Sequence, residues 1–281
     1  MKIEILQNSD KQIDIEYLNT LTAVLENCGG DVRISDVKND TLFGSASVND
    51  GGYIPDIYIV LGGDGSIIRA AHRAVIHDVP VLGINFGTVG CLAELERGEI
   101  STISEIFNGN FRYDRRSLLE TEIIRSGKSI SGVMTALNDA VIYHGCCTKL
   151  VDTEIFTDGA LLCKYRSDGV IIATPTGSTG YSMSAGGAVV SPEAEVICIT
   201  PICAHSFGSR PVIVSDKAEI DVVCTSRGDG KMKLTVDGFE DIPLKSGDKI
   251  TVRRSGRSIR LIRIGKASAG DFYRKALRKI I

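Results

Sequence analysis

Apolar and polar positions fall into two textures along the 281 residues. In the first third, short apolar runs alternate with stretches of helical period. KIEIL (2–6) has the look of a short strand. Ile13, Tyr17, Leu21, Val24 and Leu25 then recur at the spacing of one helix face, and Gly29-Gly30 closes that helix. VRISDV (32–37) predicts a second strand, and residues 38–53 a polar loop. DIYIVL (56–61) has no polar alternation after Asp56, which predicts a buried strand. Ile67, Ala71, Ala74 and Val75 share a face, predicting a helix over 67–77, and VPVLGI (79–84) is another buried strand. Strand and helix in this order imply a parallel sheet with right-handed crossovers.

After about residue 115 the period shortens. LVDTEIFT (150–157) and EIDVVCT (219–225) alternate as half-buried strands do, and Asp-Gly pairs at 158, 229 and 237 are natural hairpin turns. KITVRRSGRSIRLIRI (249–264) reads as a strand, a turn at Ser255-Gly256 and a second strand. DFYRKALRKI (271–280) returns to helical spacing. The expected class is α/β plus β. An N-terminal Rossmann-like parallel α/β domain covers 1–114, and the tail 265–281 returns its helix to that domain. An antiparallel β-rich domain covers 115–264.

Composition narrows the function. A hydrophobic content of 43% suits a packed core, and a net charge of −3 argues against a dedicated binder of nucleic acid or anionic membrane. The start, MKIEILQNSDKQIDIEY, turns polar too early for a signal peptide, and no apolar run approaches the ~20 residues of a membrane span. Eight cysteines, at 28, 91, 146, 147, 163, 198, 203 and 224, form no CxxC pair and sit mostly in apolar runs. They read as buried free thiols of a cytoplasmic protein, with no zinc site.

The chemistry concentrates in glycine-rich turns. In IVLGGDGSIIRAA a strand runs through Gly62-Gly63-Asp64-Gly65-Ser66 into a helix. A helix N-terminus offers N–H groups and a partial positive charge, and glycines let phosphate oxygens approach the backbone. The lone carboxylate of Asp64 then suits a proton acceptor for an attacking hydroxyl. The plainer alternative is a tight turn with Asp64 as N-cap, but Ser66 is enough to cap this helix. Neither GxxxxGK[ST] nor GxGxxG is present. A second such turn, GINFGTVGCLAEL (83–95), follows the next strand, so both turns are expected to face one crevice. In the second half, Asn138-Asp139 leads into an apolar strand, where a polar turn is the alternative. Nine of the twelve residues from Thr176 to Gly187 are Gly, Ser or Thr, with Tyr181 among them, which suits a segment threaded beside a ligand. His205 reads as a structural histidine, and Arg69 as either a solvated residue or a phosphate contact.

In order and spacing, GGDGS (62–66), GINFGTVGCL (83–92), LNDAV (137–141), RSDGVIIATPTGSTGYSMSAGGAVVSP (166–192) and ITPICAHSFGSRPVIV (199–214) resemble the motifs of bacterial NAD kinases. The glycine-acid loop alone is shared with 6-phosphofructokinases and lipid kinases. The resemblance implies transfer of the γ-phosphate of ATP to the 2′-hydroxyl of the adenosine ribose of NAD, hence NADP biosynthesis. It implies a divalent metal, Mg²⁺, held mainly by nucleotide phosphates rather than by protein ligands, and a homo-oligomer, tetramer or dimer. It places the proton acceptor at Asp64, with the phosphates of the donor near Gly62, Gly63, Gly65 and Ser66. It places dinucleotide contacts at Gly65, Arg69, Asn138, Asp139, Lys149, Arg166 and Asp168, and at Thr179, Gly180, Tyr181, Ser182, Met183 and Ser184. A cleft between the domains is expected to bring the hydroxyl to Asp64. Four positions depart from the family pattern: Ser66 for threonine, Cys91 for phenylalanine, Gly180 for alanine and Phe239 for glutamine. The rival readings are a sugar-phosphate or lipid kinase with the same loop, and a dinucleotide sensor without activity.

Overall fold

The expected elements recur in a computed structural model, which describes residues 1–8, 13–37, 52–87, 90–145, 149–205, 208–226, 231–265 and 269–277. The chain divides into two compact units, Met1–Arg116 with Ser258–Ile281, and Ser117–Arg257.

The first unit opens with β1 (Lys2–Gln7), α1 (Ile15–Asn27), β2 (Asp31–Asp36), β3 (Ile57–Gly62), α2 (Asp64–His77), β4 (Val81–Asn85) and the two-residue β5 (Leu95–Glu96). A 3₁₀ segment follows over Arg97–Ile106. The strands form a parallel sheet in the order β4-β3-β1-β2. Successive strand side chains point to opposite faces. Ile3, Ile5, Ile57, Ile59 and Leu61 share one face and pack with Leu21 and Leu25 of α1. Full burial of those two leucines contributes roughly 1.5–3 kcal/mol each. On β4, a Cβ at Gly83 would lie 2.5 Å from Cδ1 of Ile67, so glycine lets α2 lie close on the strand. Helix α1 begins two residues after Ile13 because the Asp14 carboxylate accepts the Glu16 N–H (3.0 Å) and caps it. It ends where Gly29, at φ +88°, enters the left-handed region and the Gly30 N–H donates to Leu25 O.

The second unit carries the antiparallel strands. Strand β6 (Phe111–Arg125) leads in, followed by β7 (Lys128–Ser129), β8 (Met134–Ala136), β9 (Asp139–His144), β10 (Val151–Thr157), β11 (Ala160–Ser167) and β12 (Gly169–Ala173). After a 3₁₀ turn come α2's short successor α3 (Tyr181–Ser184), β13 (Val196–Ile202), β14 (Val212–Ser215), β15 (Ile220–Ser226), β16 (Met232–Val236), β17 (Ile242–Leu244) and β18 (Lys249–Ile264). One sheet runs β14-β13-β12-β9-β16-β17, and a second runs β11-β10-β15-β18. Strand β12, central in the first, is buried at every residue, whereas β10 buries Val151, Thr153 and Ile155 and leaves alternate residues partly exposed. Asp158-Gly159 turns β10 into β11 at φ +50° and +80°, and Asp237-Gly238 turns β16 toward β17 at +52° and +70°. Both match a turn that needs two positive φ values. The pair at 229 lies outside the described residues.

Ser255-Gly256 does not turn. Strand β18 runs unbroken for 16 residues, and Gly256 is not among the positive-φ residues. The Ser255 hydroxyl is buried and donates to Glu120 Oε1 (2.8 Å), while the Arg257 N–H donates to Ser255 Oγ (3.1 Å). A cross-strand partner on β6 satisfies the polar pair that otherwise reads as a turn. Helix α4 (Ala269–Leu277) belongs to the first unit, where Lys275 Nζ donates to Ala93 O and Ala276 is buried. No described helix is long and apolar enough to cross a membrane.

Candidate active site

The glycine-acid turn sits where β3 hands over to α2. Gly63, extended at φ −100° and ψ −169°, is the N-cap, with no side-chain cap bond, and Asp64 is the first helical residue. The helix thus starts three residues before the apolar period suggested, because neither Asp64 nor Gly65 contributes to that period. Ser66 is not the cap expected of it. It lies at the third helical position, buried over Gly62, whose Cβ would sit 2.3 Å from Ser66 Oγ. Gly65 differs: it is exposed, and a Cβ there would meet nothing within 4 Å. Arg69, further along α2, is partly buried.

The second glycine turn holds the carboxylate. Asp64 Oδ2 accepts the Cys91 N–H (3.1 Å) and Oδ1 accepts the Leu92 N–H (3.0 Å). Gly90 permits this approach, since its Cβ would lie 3.2 Å from Asp64 Oδ1. Asn85 ends β4 by accepting the Gly87 N–H through Oδ1 (2.9 Å) and donating through Nδ2 to Glu96.

In the second unit, residues 174–180 pack on Leu137 and Asn138. The Thr174 N–H donates to Asn138 O (2.8 Å), its hydroxyl donates to Leu137 O (2.6 Å), and the Gly177 N–H donates to Thr174 Oγ1 (3.0 Å). The run is therefore ordered against the 137–139 turn. A carboxylate that the motifs did not single out completes it. Asp237 accepts the N–H groups of Leu137 (2.7 Å), Asn138 (2.7 Å) and Asp139 (3.1 Å). Its local sequence signals only a hairpin, and its partners lie about a hundred positions away, so no short pattern reveals the second role. Asp139 is 6% exposed, and burial, together with the nearby Asp237 charge, pushes its carboxyl up to about 7.

Asn138, Asp139, Tyr143, Tyr181, Thr235 and Asp237 line a cavity of ≈ 360 Å³, within the range of small-molecule sites. Tyr143 was not expected from motifs. Its hydroxyl donates to Asp241 Oδ1 (2.5 Å), which also accepts from Lys233 Nζ (2.9 Å), and burial with that bond pushes the phenol up to about 12. Lys149, Arg166, Asp168, Thr179 and Gly180 do not line the cavity. Arg166 is exposed and faces Asp152 at 3.9 Å, while Asp168 bonds through its backbone to His144 and Ile202. Ser182 turns inward to Thr200 (2.9 Å), Met183 is partly buried and Ser184 is exposed. Among the described residues no three His, Cys, Asp or Glu side chains gather as a metal site.

Comparison with known proteins puts this construction among the phosphotransferases that act on an alcohol group. Residues 49–111 match the ATP-NAD kinase N-terminal domain and residues 137–264 the ATP-NAD kinase C-terminal domain. An NAD kinase of Syntrophotalea carbinolica is 42% identical over 219 residues, 76% of either chain, and one of Lachnoclostridium phytofermentans is 36% identical over 271 residues, 94% of either chain. Yeast NADH kinase complexed with NADH superposes at a TM-score of 0.81 with 26% identity, covering 100% of this chain and 87% of that one. An Archaeoglobus fulgidus NAD kinase in complex with ATP shares the fold, at a TM-score of 0.78 and 24% identity over 98% of each. The chain belongs to the NAD kinase family.

Proposed function

We propose that the chain transfers the γ-phosphate of ATP to the 2′-hydroxyl of the adenosine ribose of NAD. The observation that carries this reading is the Asp64 carboxylate, fixed by two backbone N–H groups at the start of α2. Phosphoryl transfer is largely positioning and charge stabilisation. The helix start and Gly65 receive phosphate oxygens, and Asp64 accepts the proton of the attacking hydroxyl. Asp64 offers the hard oxygen ligands that Mg²⁺ takes; such an ion, held mainly by the nucleotide phosphates, would offset repulsion between carboxylate and phosphates. Asn138 has a donor and an acceptor and suits an adenine edge, whereas an ionised Asp139 accepts from ribose hydroxyls. Arg69, Lys149, Arg166, Asp168 and the 179–184 run are proposed as further nucleotide contacts. The test is incubation with NAD, ATP and Mg²⁺, read by a dehydrogenase strictly dependent on NADP and by phosphorus NMR. A phosphorylated dinucleotide that the dehydrogenase rejects means another hydroxyl; a phosphorylated sugar or lipid instead moves the chain to a rival kinase class.

Two variants probe the sites separately. Gly65→Ala is expected to leave stability within about 0.5 kcal/mol, because its Cβ meets no protein atom and alanine suits a helix. Turnover with ATP should nevertheless fall, since the methyl occupies the phosphate approach; equal kinetics at equal thermal stability would remove phosphate from this turn. Asp139 predicts a pH dependence. With its proton on below about 7, it presents an O–H donor and loses the charge that strengthens acceptance from ribose hydroxyls, so NAD affinity should weaken as pH falls through 7, by up to about tenfold per unit. Calorimetry of Asp139→Asn should give weak, pH-independent binding, and a wild-type affinity flat from pH 5 to 8 would refute the role. Folding has the opposite sign. The folded carboxyl holds its proton more tightly than the unfolded one, so its cost to stability grows as pH rises from about 4 to about 7.

We further propose a homo-oligomer assembled through residues 115–265. Strand β11 lies at a sheet edge and exposes Ala160, Leu161 and Leu162, an arrangement that pairs readily with another strand. A cytoplasmic location accords with free thiols at Cys28, Cys91, Cys163, Cys198, Cys203 and Cys224 among the described residues.

A further inference from the structure

The turn that holds Asp64 is itself held from the other side. Leu92 donates its N–H to Asp64 Oδ1 (3.0 Å), and its carbonyl accepts from Arg263 Nη1 (2.9 Å). These two groups belong to successive peptide units, so both planes flanking Leu92 are fixed. The Arg263 side chain is 7% exposed and is anchored in turn: Nη1 also donates to Glu94 Oε2 (3.2 Å) and Nε to Asp114 Oδ2 (3.0 Å). Arg116 grips the same Asp114 through Nε (2.8 Å) and Nη2 (2.7 Å). Glu94 is tied down by the Ile264 N–H on Oε1 (2.8 Å), and its own N–H donates to Gly83 O (2.9 Å). Burial alone would raise the Asp114 carboxyl, but Arg116 and Arg263 hold it below the ordinary range, so Asp114 stays ionised between the two guanidinium groups.

A buried ion cluster is weak evidence for a stabilising role, since apolar replacements often do as well. A guanidinium fork, by contrast, fixes direction. Here Glu94 and Asp114 hold the fork, and Nη1 is aimed at the carbonyl of Leu92, the residue whose N–H orients the Asp64 carboxylate. We propose that Arg263, locked by Glu94 and Asp114, is a positioning residue for Asp64: it sets the Cys91–Leu92 donor pair that aims the carboxylate at the attacking hydroxyl. The inference rests on the reading of Asp64 as proton acceptor.

The test uses the full chain with Arg263→Gln, Arg263→Lys, Asp64→Asn and the Asp64→Asn/Arg263→Gln double variant. Misplacing a catalytic group by about 1 Å costs on the order of 10²-fold, so Arg263→Gln should lower kcat by roughly 10–100-fold with KM for NAD little changed. Lysine retains one donor without the fork and should recover part of the loss. The double variant should be no slower than Asp64→Asn alone, because both changes act through one carboxylate. Amide exchange gives a readout independent of chemistry: the Leu92 N–H should exchange faster in Arg263→Gln while the amides of β3 keep their rates. Should the glutamine variant fail to fold, the lysine variant decides, and an unchanged kcat in it overturns the proposal. So do additive losses in the double variant, or an unchanged Leu92 amide. Normal turnover in Asp64→Asn with a loosened Leu92 amide in Arg263→Gln assigns the failure to the proton-acceptor reading instead.

Discussion

Asp64→Asn is expected to bind NAD as the wild type does and to turn it over slower by about 10²–10⁴-fold, the contribution of a positioned base. Asparagine keeps the volume and one acceptor oxygen, so packing at the start of α2 is retained. Two things are lost. An amide does not accept the hydroxyl proton, and its NH₂ group must now face either the Cys91 or the Leu92 N–H, each of which donates to a carboxylate oxygen in the wild type. A donor facing a donor leaves both unsatisfied. The side chain should therefore turn as well as lose basicity, placing the expected loss toward the upper end. Steady-state kinetics with the coupled dehydrogenase measure kcat, and calorimetry measures NAD binding, which is proposed to depend on Asn138 and Asp139. Near-normal turnover would assign proton acceptance to another group; loss of binding with loss of turnover would mean that Asp64 shapes the substrate site rather than the chemistry.

Gly177→Ala should be the most damaging single methyl in the second unit. Its Cβ would fall 2.1 Å from Asn138 O, 2.6 Å from Asn138 C and 2.8 Å from Asn138 Cα. All three are backbone atoms, so no side chain can swing aside, and the 174–180 segment must separate from the 137–139 turn. Separation breaks the Thr174 N–H bond to Asn138 and the Thr174 hydroxyl bond to Leu137. Overpacking typically costs 1–3 kcal/mol, and with two buried hydrogen bonds at about 1 kcal/mol each, a loss of roughly 3–5 kcal/mol is expected. Chemical denaturation reads the stability, and calorimetry should find NAD binding abolished because Asn138 has moved. Wild-type stability would show that the two segments do not pack as tightly as the distances require.

How far these sites could be read from the chain depends on the range of the interactions. The parallel strands, both hairpin turns and the glycine-acid loop were legible because each is written within about ten residues: buried runs, Asp-Gly pairs, glycines at a helix mouth. Ser255-Gly256 misled because the partner that straightens it, Glu120, lies on another strand. Ser66 misled because a cap and a third-position serine share a local signature. The role of Gly90 and of the Cys91 and Leu92 N–H groups is a matter of backbone amides, which no residue type announces. Asp237 and Arg263 were hidden for the same reason as Glu120, since the groups they serve lie far away in sequence. The motifs marked the turns proposed to carry the chemistry; the groups that hold those turns are spread over the rest of the chain.

The return of the C-terminal segment to the first unit has a consequence for synthesis. Leu92 emerges early from the ribosome, but Arg263 and Ile264, which grip Leu92 and Glu94, follow 171 and 170 positions later. At about 5–20 residues per second that interval is roughly ten to thirty seconds. During it the nascent chain carries the GGDGS turn without the contacts that Arg263 and Ile264 make to Leu92 and Glu94. A product cut short anywhere before residue 263 lacks the same contacts. On the proposed role of Arg263, catalytic competence waits until residues 263 and 264 have been made.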